Sequence, residues 1–218
     1  MVSAEEIVAL QDRMTMAWHS TADARSGDSP ASVLAEAGGA TTAAEDWLEQ
    51  VTRQHRANFD LWHIEDQARA PGATDAEIAQ VKRRVDTTNQ LRNDLAEKLD
   101  QAVVGWLKSR SLPNLDAPLH SESPGLIIDR LSILSLKIYH TREEAERTDA
   151  PPGHTERNRQ RLAILEEQRA DLAGCLDALW RETQNGARRF KLYRQLKMYN
   201  DPSLNPAIYG KAAAGKRS

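Results

Sequence analysis

Arg92 stands where an apolar residue is expected. Ile78, Val81, Val85, Thr88, Leu95, Leu99, Ala102 and Trp106 alternate steps of three and four, the seam of a bundled helix, and Arg92 falls in its middle. Arg169 interrupts the row Leu162, Leu165, Leu172, Leu176, Leu179 in the same way. Further along, Ile127, Leu131, Leu134 and Ile138 make one stripe, with Asp129, Lys137 and His140 beside it and Arg130 in line with Lys137. Asn58, Glu65, Asp66 and Arg69 crowd Phe59 and Trp62. An unpaired charge is costly to bury, so inward charges must pair with one another or hold a ligand between helices. A planar guanidinium donates two parallel bonds and suits phosphate or carboxylate. The candidate ligand-binding set is therefore Asn58, Glu65, Asp66, Arg69, Asn89, Arg92, Asn93, Arg130, Lys137 and Arg169. His63, Asp66 and Asp129 are the candidates for moving a proton. Asp66, Arg69, Arg92, Arg130 and Lys137 are expected to line one pocket. The competing reading is an interior salt-bridge network that only sets helix register, or long side chains reaching back to the surface. It weighs most for Arg169, whose flanks are ordinary.

Other groupings are weaker. Within His63-x-Glu65-Asp66 only His63 and Asp66 share a helix face, which gives two ligands, and no Glu-x-x-His pair occurs in the chain. No metal site is expected, and no cofactor follows. Glu97-x-x-Asp100 and Asp46-x-x-Glu49 have the spacing of the Mg²⁺-holding carboxylate pairs of all-α nucleotide pyrophosphohydrolases, but most solvated helices carry such pairs. Ser123-Pro124 reads as an N-cap followed by a proline at the first helical position.

The elements that must position these residues read as helices throughout. One spans 3–19, followed by a Gly/Pro-bearing polar loop over 20–41. A second starts at Thr41 or Thr42 and runs to about residue 70, where Pro71-Gly72 stops it. Thr74 with Glu77 forms a capping box opening a third, to about residue 110. Others cover 123–148, 155–184 and 187–199, with an extended segment after them and a frayed end at 210–218. The expected fold is an all-α bundle of four long helices, with a short N-terminal helix and a C-terminal helix carrying an extended tail. Residues 1–43 form the N-terminal helix and loop, and 44–209 a single bundle domain.

With 218 residues and a net charge of −3, the chain is long enough for one core. A lone Cys175 allows no internal disulfide and no cysteine zinc site. There is no apolar run long enough for a transmembrane segment and no signal-like start, so a cytoplasmic location is expected. Residues 188–218 hold eight Lys and Arg against Asp201 alone. That segment, with Phe190, Tyr193, Tyr199 and Tyr209, could dock a protein partner; a net negative chain with one basic segment argues against nucleic acid.

The strings NFDLWHIEDQAR (58–69), VKRRVDTTNQLRNDLAEKLD (81–100), SPGLIIDRLSILSLKIYH (123–140), EQRADLAGCLDAL (167–179) and FKLYRQLKMYNDPSLNPAIY (190–209) resemble the helical family catalogued as domain of unknown function 4254. The likeness covers about residues 44 to 209. The 123–137 stretch also resembles a motif of a second uncharacterised family, with Ser123 where threonine is usual. The resemblance transfers no catalytic role. It implies a bacterial protein encoded near glycosyltransferases and other surface-glycan genes. Two functions are expected to compete. One is binding of an anionic small molecule, a nucleotide sugar or sugar phosphate, at the inter-helix site. The other is a non-catalytic scaffold or partner in a glycan-assembly complex, meeting a glycosyltransferase-type protein through the basic C-terminal segment.

Overall fold

A computed structural model describes residues 2–24, 43–194 and 203–206. Five helices make up the described chain: α1 (Ala4–Ala24), α2 (Ala43–Gln67), α3 (Asp75–Lys108), α4 (Pro124–Glu146) and α5 (His154–Gln184). The fold is an all-α bundle, and no described helix is long and apolar enough to cross a membrane. The loop expected over 20–41 begins later than expected, since α1 runs on to Ala24; residues 25–41, the helix end at 195–199 and the tail at 210–218 lie outside the described residues.

Local chemistry explains the ends. Ser3 and Glu6 form a reciprocal cap on α1, Ser3 N–H donating to Glu6 Oε2 at 2.8 Å and Glu6 N–H to Ser3 Oγ at 3.2 Å. Thr74 and Glu77 make the anticipated capping box on α3. α2 ends at Gln67, a turn before Pro71-Gly72, where Gly72 takes φ +84°, a left-handed conformation that side chains resist, and redirects the chain toward α3.

The start of α4 departs from expectation. Ser123 occupies the N-cap position but makes no cap bond to its own helix. Its hydroxyl donates to Asp100 Oδ2 on α3, and the Gly125 N–H donates to Asp100 Oδ1 at 2.7 Å. A carboxylate from the neighbouring helix thus satisfies an open N–H of the first turn, the role a cap normally serves. The approach is so close that a Cβ on Gly125 would overlap the Ala96 carbonyl oxygen. Asp100 is a packing device, not half of a Mg²⁺ pair.

Helices α2–α3 and α4–α5 form two closely packed hairpins, and α4 touches all four other helices. Ile127, Ile128, Leu131, Leu136 and Ile138 are each no more than 1% exposed, contributing about 1.5–3 kcal/mol apiece by burial. Ala4 and Ile7 of α1 join Val51, Leu99 and Leu176 in the same core, so α1 is a full member of the bundle rather than a short appendage.

The expected helix at 187–199 is absent over its described part, 187–194. Gly186 turns the chain at φ +75°, and Arg189 pairs in parallel with Leu119. His120 N–H donates to the Arg189 carbonyl at 2.7 Å and Arg189 N–H to the Pro118 carbonyl at 3.1 Å. Phe190, 5% exposed, plugs into the core. Core burial of one aromatic ring and two backbone bonds hold this strand-like segment, against the helical preference of its residues.

Candidate functional site

Three helices close a polar layer on α4. Asp129 is 5% exposed, and its Oδ1 accepts from Gln54 Nε2 (2.6 Å), Asn58 Nδ2 (2.9 Å) and Arg92 Nε (2.9 Å). Oδ2 accepts from Arg92 Nη2 at 2.8 Å, completing a bidentate pair. Three donors crowd Oδ1 and one reaches Oδ2, so four donated bonds fix the carboxylate in place. The interrupted seam at Arg92 is thereby explained: its charge is matched inside the bundle, with Asn89 Oδ1 at 3.5 Å from its outer nitrogen. Asn93, 7% exposed, lies buried one position further on.

The layer continues through residues the sequence reading passed over. Thr15 donates its only hydroxyl proton to the Gln11 carbonyl at 2.9 Å. The His55 Nε2 contact to the same oxygen, 2.9 Å, is therefore donated by the imidazole. Ser132 then donates to His55 Nδ1 at 2.7 Å and accepts from Asn58 Nδ2 at 2.9 Å. One directed chain of bonds crosses α2, α4 and α1. Burial pushes His55 down to about 3, so it stays neutral, as that chain requires. His55 and Ser132 each lie three residues from Asn58 and Asp129; that spacing was the legible signal.

The other expected residues do not gather at one place. Asp66, Arg69 and Arg92 line a cleft of about 420 Å³ with Asn58, Trp62 and Glu65. Arg69 and Glu65 pair with each other at 3.4 Å, largely exposed. Arg130 and Lys137 line a different cleft of about 710 Å³ between α4 and α5, where Arg130 pairs with Glu122 at 2.7 Å. The single pocket expected of Asp66, Arg69, Arg92, Arg130 and Lys137 is split because successive helix residues point about 100° apart, sending 129 inward and 130 out the other side. Arg169 is taken by Asp12 of α1, both carboxylate oxygens at 2.8 Å, which makes it a tie between α1 and α5.

A third cleft, of about 560 Å³, lies between α2 and α3 and is lined by Arg56, Asp60, His63, Arg83, Arg84 and Thr88 among others. Arg56 donates to Asp60 at 2.8 Å, and Arg84 donates to Gln67 Oε1 at 2.6 Å. Burial raises the Asp60 carboxyl, with Arg56 opposing. Three guanidinium groups thus face one carboxylate. Arg83 and Arg84 were read in the sequence only as part of a long helix.

At the far end of α2, His63 meets His19 of α1 and His140 of α4. Their ring centroids are 5.1, 5.0 and 5.7 Å apart, with planes inclined at 69°, 79° and 78°. Trp62 stacks on His140 at 4.8 Å and Tyr139 on His19 at 4.2 Å. Burial first, and then the neighbouring imidazoles His19 and His140, hold His63 below its usual value. Helix spacing alone pairs His63 with Asp66. The structure puts that carboxylate 3.9 Å from Nδ1 and 59% exposed, a loose contact.

The family model described as "Protein of unknown function (DUF4254)" matches residues 48–192, from α2 through Arg189 and the docked Phe190. The chain belongs to the DUF4254 family. The match covers α2 of this DUF4254 chain from residue 48 and all of α3, α4 and α5, and hence Asp129, Arg92, Arg83, Arg84, His63 and His140. No match was found among curated proteins or among solved structures.

Proposed function

We propose that this protein binds an anionic small molecule in the α2–α3 cleft, and that it serves bacterial surface-glycan assembly in the cytoplasm with a nucleotide sugar or sugar phosphate as ligand. One observation carries the reading: Arg56, Arg83 and Arg84 face a single carboxylate, Asp60, across about 560 Å³. Arg83 has no ion-pair partner among the described residues, and Arg84 bonds a neutral amide while sharing the Asp60 charge with Arg56. Such an excess of planar donors in a concave site suits phosphate oxygens. Arg92, the leading sequence candidate, is committed to Asp129 and adds no charge to a ligand. The glycan class rests on the family resemblance and on the chemistry of the cleft together.

Calorimetric titration with nucleotide sugars and sugar phosphates, against neutral sugars, tests the reading. The double substitution Arg83→Gln/Arg84→Gln is expected to weaken binding at least about tenfold, the loss of one charge-assisted bond or more. Equal binding by the double variant, or no binding by the native chain, refutes it.

The scaffold reading draws support from one place. Phe190 anchors a segment on which Tyr193 is 70% exposed beside exposed Lys191 and Arg194. Deleting 188–218 would also empty the Phe190 pocket, so the clean test is Tyr193→Ala with Lys191→Glu. Loss of partner capture at unchanged melting temperature supports a docking role.

A further inference from the structure

The structure assigns a divalent transition-metal site, of the Zn²⁺ class, to His19, His63 and His140. One ring nitrogen of each lies within 4.8 Å of the others. A tetrahedral ion with Zn–N of about 2.0–2.1 Å places its ligand nitrogens about 3.3 Å apart and their ring centroids about 5 Å apart. The observed centroid spacings of 5.1, 5.0 and 5.7 Å already meet the second figure. Small rotations of the rings about their side-chain bonds supply the rest.

The outer nitrogens are held as metal ligands require. His140 Nδ1–H donates to Glu143 Oε2 at 2.9 Å, and His19 Nδ1–H donates to the Thr15 carbonyl at 2.8 Å. Asp66 stands 3.9 Å from His63 Nδ1. An acceptor on Nδ1 fixes the tautomer that leaves Nε2 with a lone pair. Nε2 of both His63 and His140 is buried and has no hydrogen-bond partner among the described residues. A buried polar atom left in that condition is uncommon, and an ion is the partner that would satisfy two at once. Three imidazoles with no thiolate select Zn²⁺ and its first-row neighbours over Mg²⁺ or Ca²⁺. Carboxylates of Asp66 and Glu143 face the triad, against the cation of Arg56. Three protein ligands leave a fourth position open, the arrangement of a site that binds water or a ligand atom. His63 also lines the α2–α3 cleft. The metal inference stands independently of the anion reading, since either ligand can bind without the other.

Equilibrium dialysis of the tag-free full chain, stripped with a chelator and then exposed to Zn²⁺, measures the site. The expected result is one Zn²⁺ per chain, a rise in melting temperature with Zn²⁺ and none with Mg²⁺. His63→Gln and His140→Gln, each verified as folded by circular dichroism, are expected to weaken Zn²⁺ at least about 100-fold, and Glu143→Gln about tenfold. His154→Gln, which alters an imidazole paired with Glu144 elsewhere, leaves binding unchanged. Should the histidine variants fail to fold, Co²⁺ added to the native chain decides. The intense visible bands of a four- or five-coordinate ion support the site, and their absence overturns it. Less than one Zn²⁺ per native chain, or unchanged binding in both folded histidine variants, overturns it equally.

Discussion

Asp129 and His140 stand on the same helix about three turns apart, and their surroundings are finished in opposite ways. Around Asp129 the charges are matched: Gln54, Asn58 and Arg92 donate to the carboxylate, while Ser132, His55 and Thr15 pass a single chain of bonds on to a backbone carbonyl, and the neutral Gln54 Oε1 is left without a partner among the described residues. Around His140 the outer nitrogen has Glu143, but the inner one meets only other rings. A cluster whose charges are answered from within gains specificity of packing and has no charge left to offer a ligand. An unsaturated one keeps binding capacity. The same contrast separates Arg92, matched by Asp129, from Arg83, which faces a cleft.

Breaking the closed layer should give the largest effect. Asp129→Ala leaves the half-buried Arg92 charge and the amides of Gln54 and Asn58 without their acceptor. A loss of about 3–5 kcal/mol in urea denaturation is expected. A loss under 1 kcal/mol would mean the layer does not hold the bundle as described.

The pH dependence of stability comes next, and two buried groups, one in the layer and one at the start of α4, oppose each other. Asp100 is raised to about 6 by burial, with the bonds from Ser123 and Gly125 opposing that shift. The folded state holds this proton more tightly than the unfolded chain, so its contribution is present below about pH 4 and is lost as pH rises through about 6. His55 is lowered to about 3. There the unfolded chain takes the proton first, so its contribution is present above about pH 6.5 and is lost as pH falls toward about 3. Each proton is worth about 1.4 kcal/mol per pH unit, and between about pH 4 and 6 the two slopes nearly cancel. Asp100→Asn should leave a stability that climbs with pH by about 3 kcal/mol across that window. His55→Gln should leave one that falls by a similar amount. Parallel curves for the two variants would refute the assignment.

The smallest expected effect belongs to the open side. Arg83→Gln/Arg84→Gln changes stability by less than about 0.5 kcal/mol, because exposed charges away from packed features contribute little. Any larger loss in the melting curve would place these arginines with the closed layer instead.

How far the residues alone carried the reading follows from the range of each interaction. Apolar spacing over 78–106 and 127–138, Pro71-Gly72, and Thr74 with Glu77 act over a few residues, and the helices came out where those signals put them. That the inward Arg92 needed an opposite charge or a ligand was also legible, but not that Asp129 and Asn58 meet it. Arg130 and Lys137 were misplaced by a single residue step around α4. Residues 187–194 were misread because Phe190 finds its pocket in a core that is remote in the chain. Nothing local marks His19, which lies 44 residues before His63 and 121 before His140. Helix content is decided by neighbours along the backbone. Which ring faces which, and whether a charge is answered, depends on how rods from distant parts of the chain pack, and only the folded arrangement settles that.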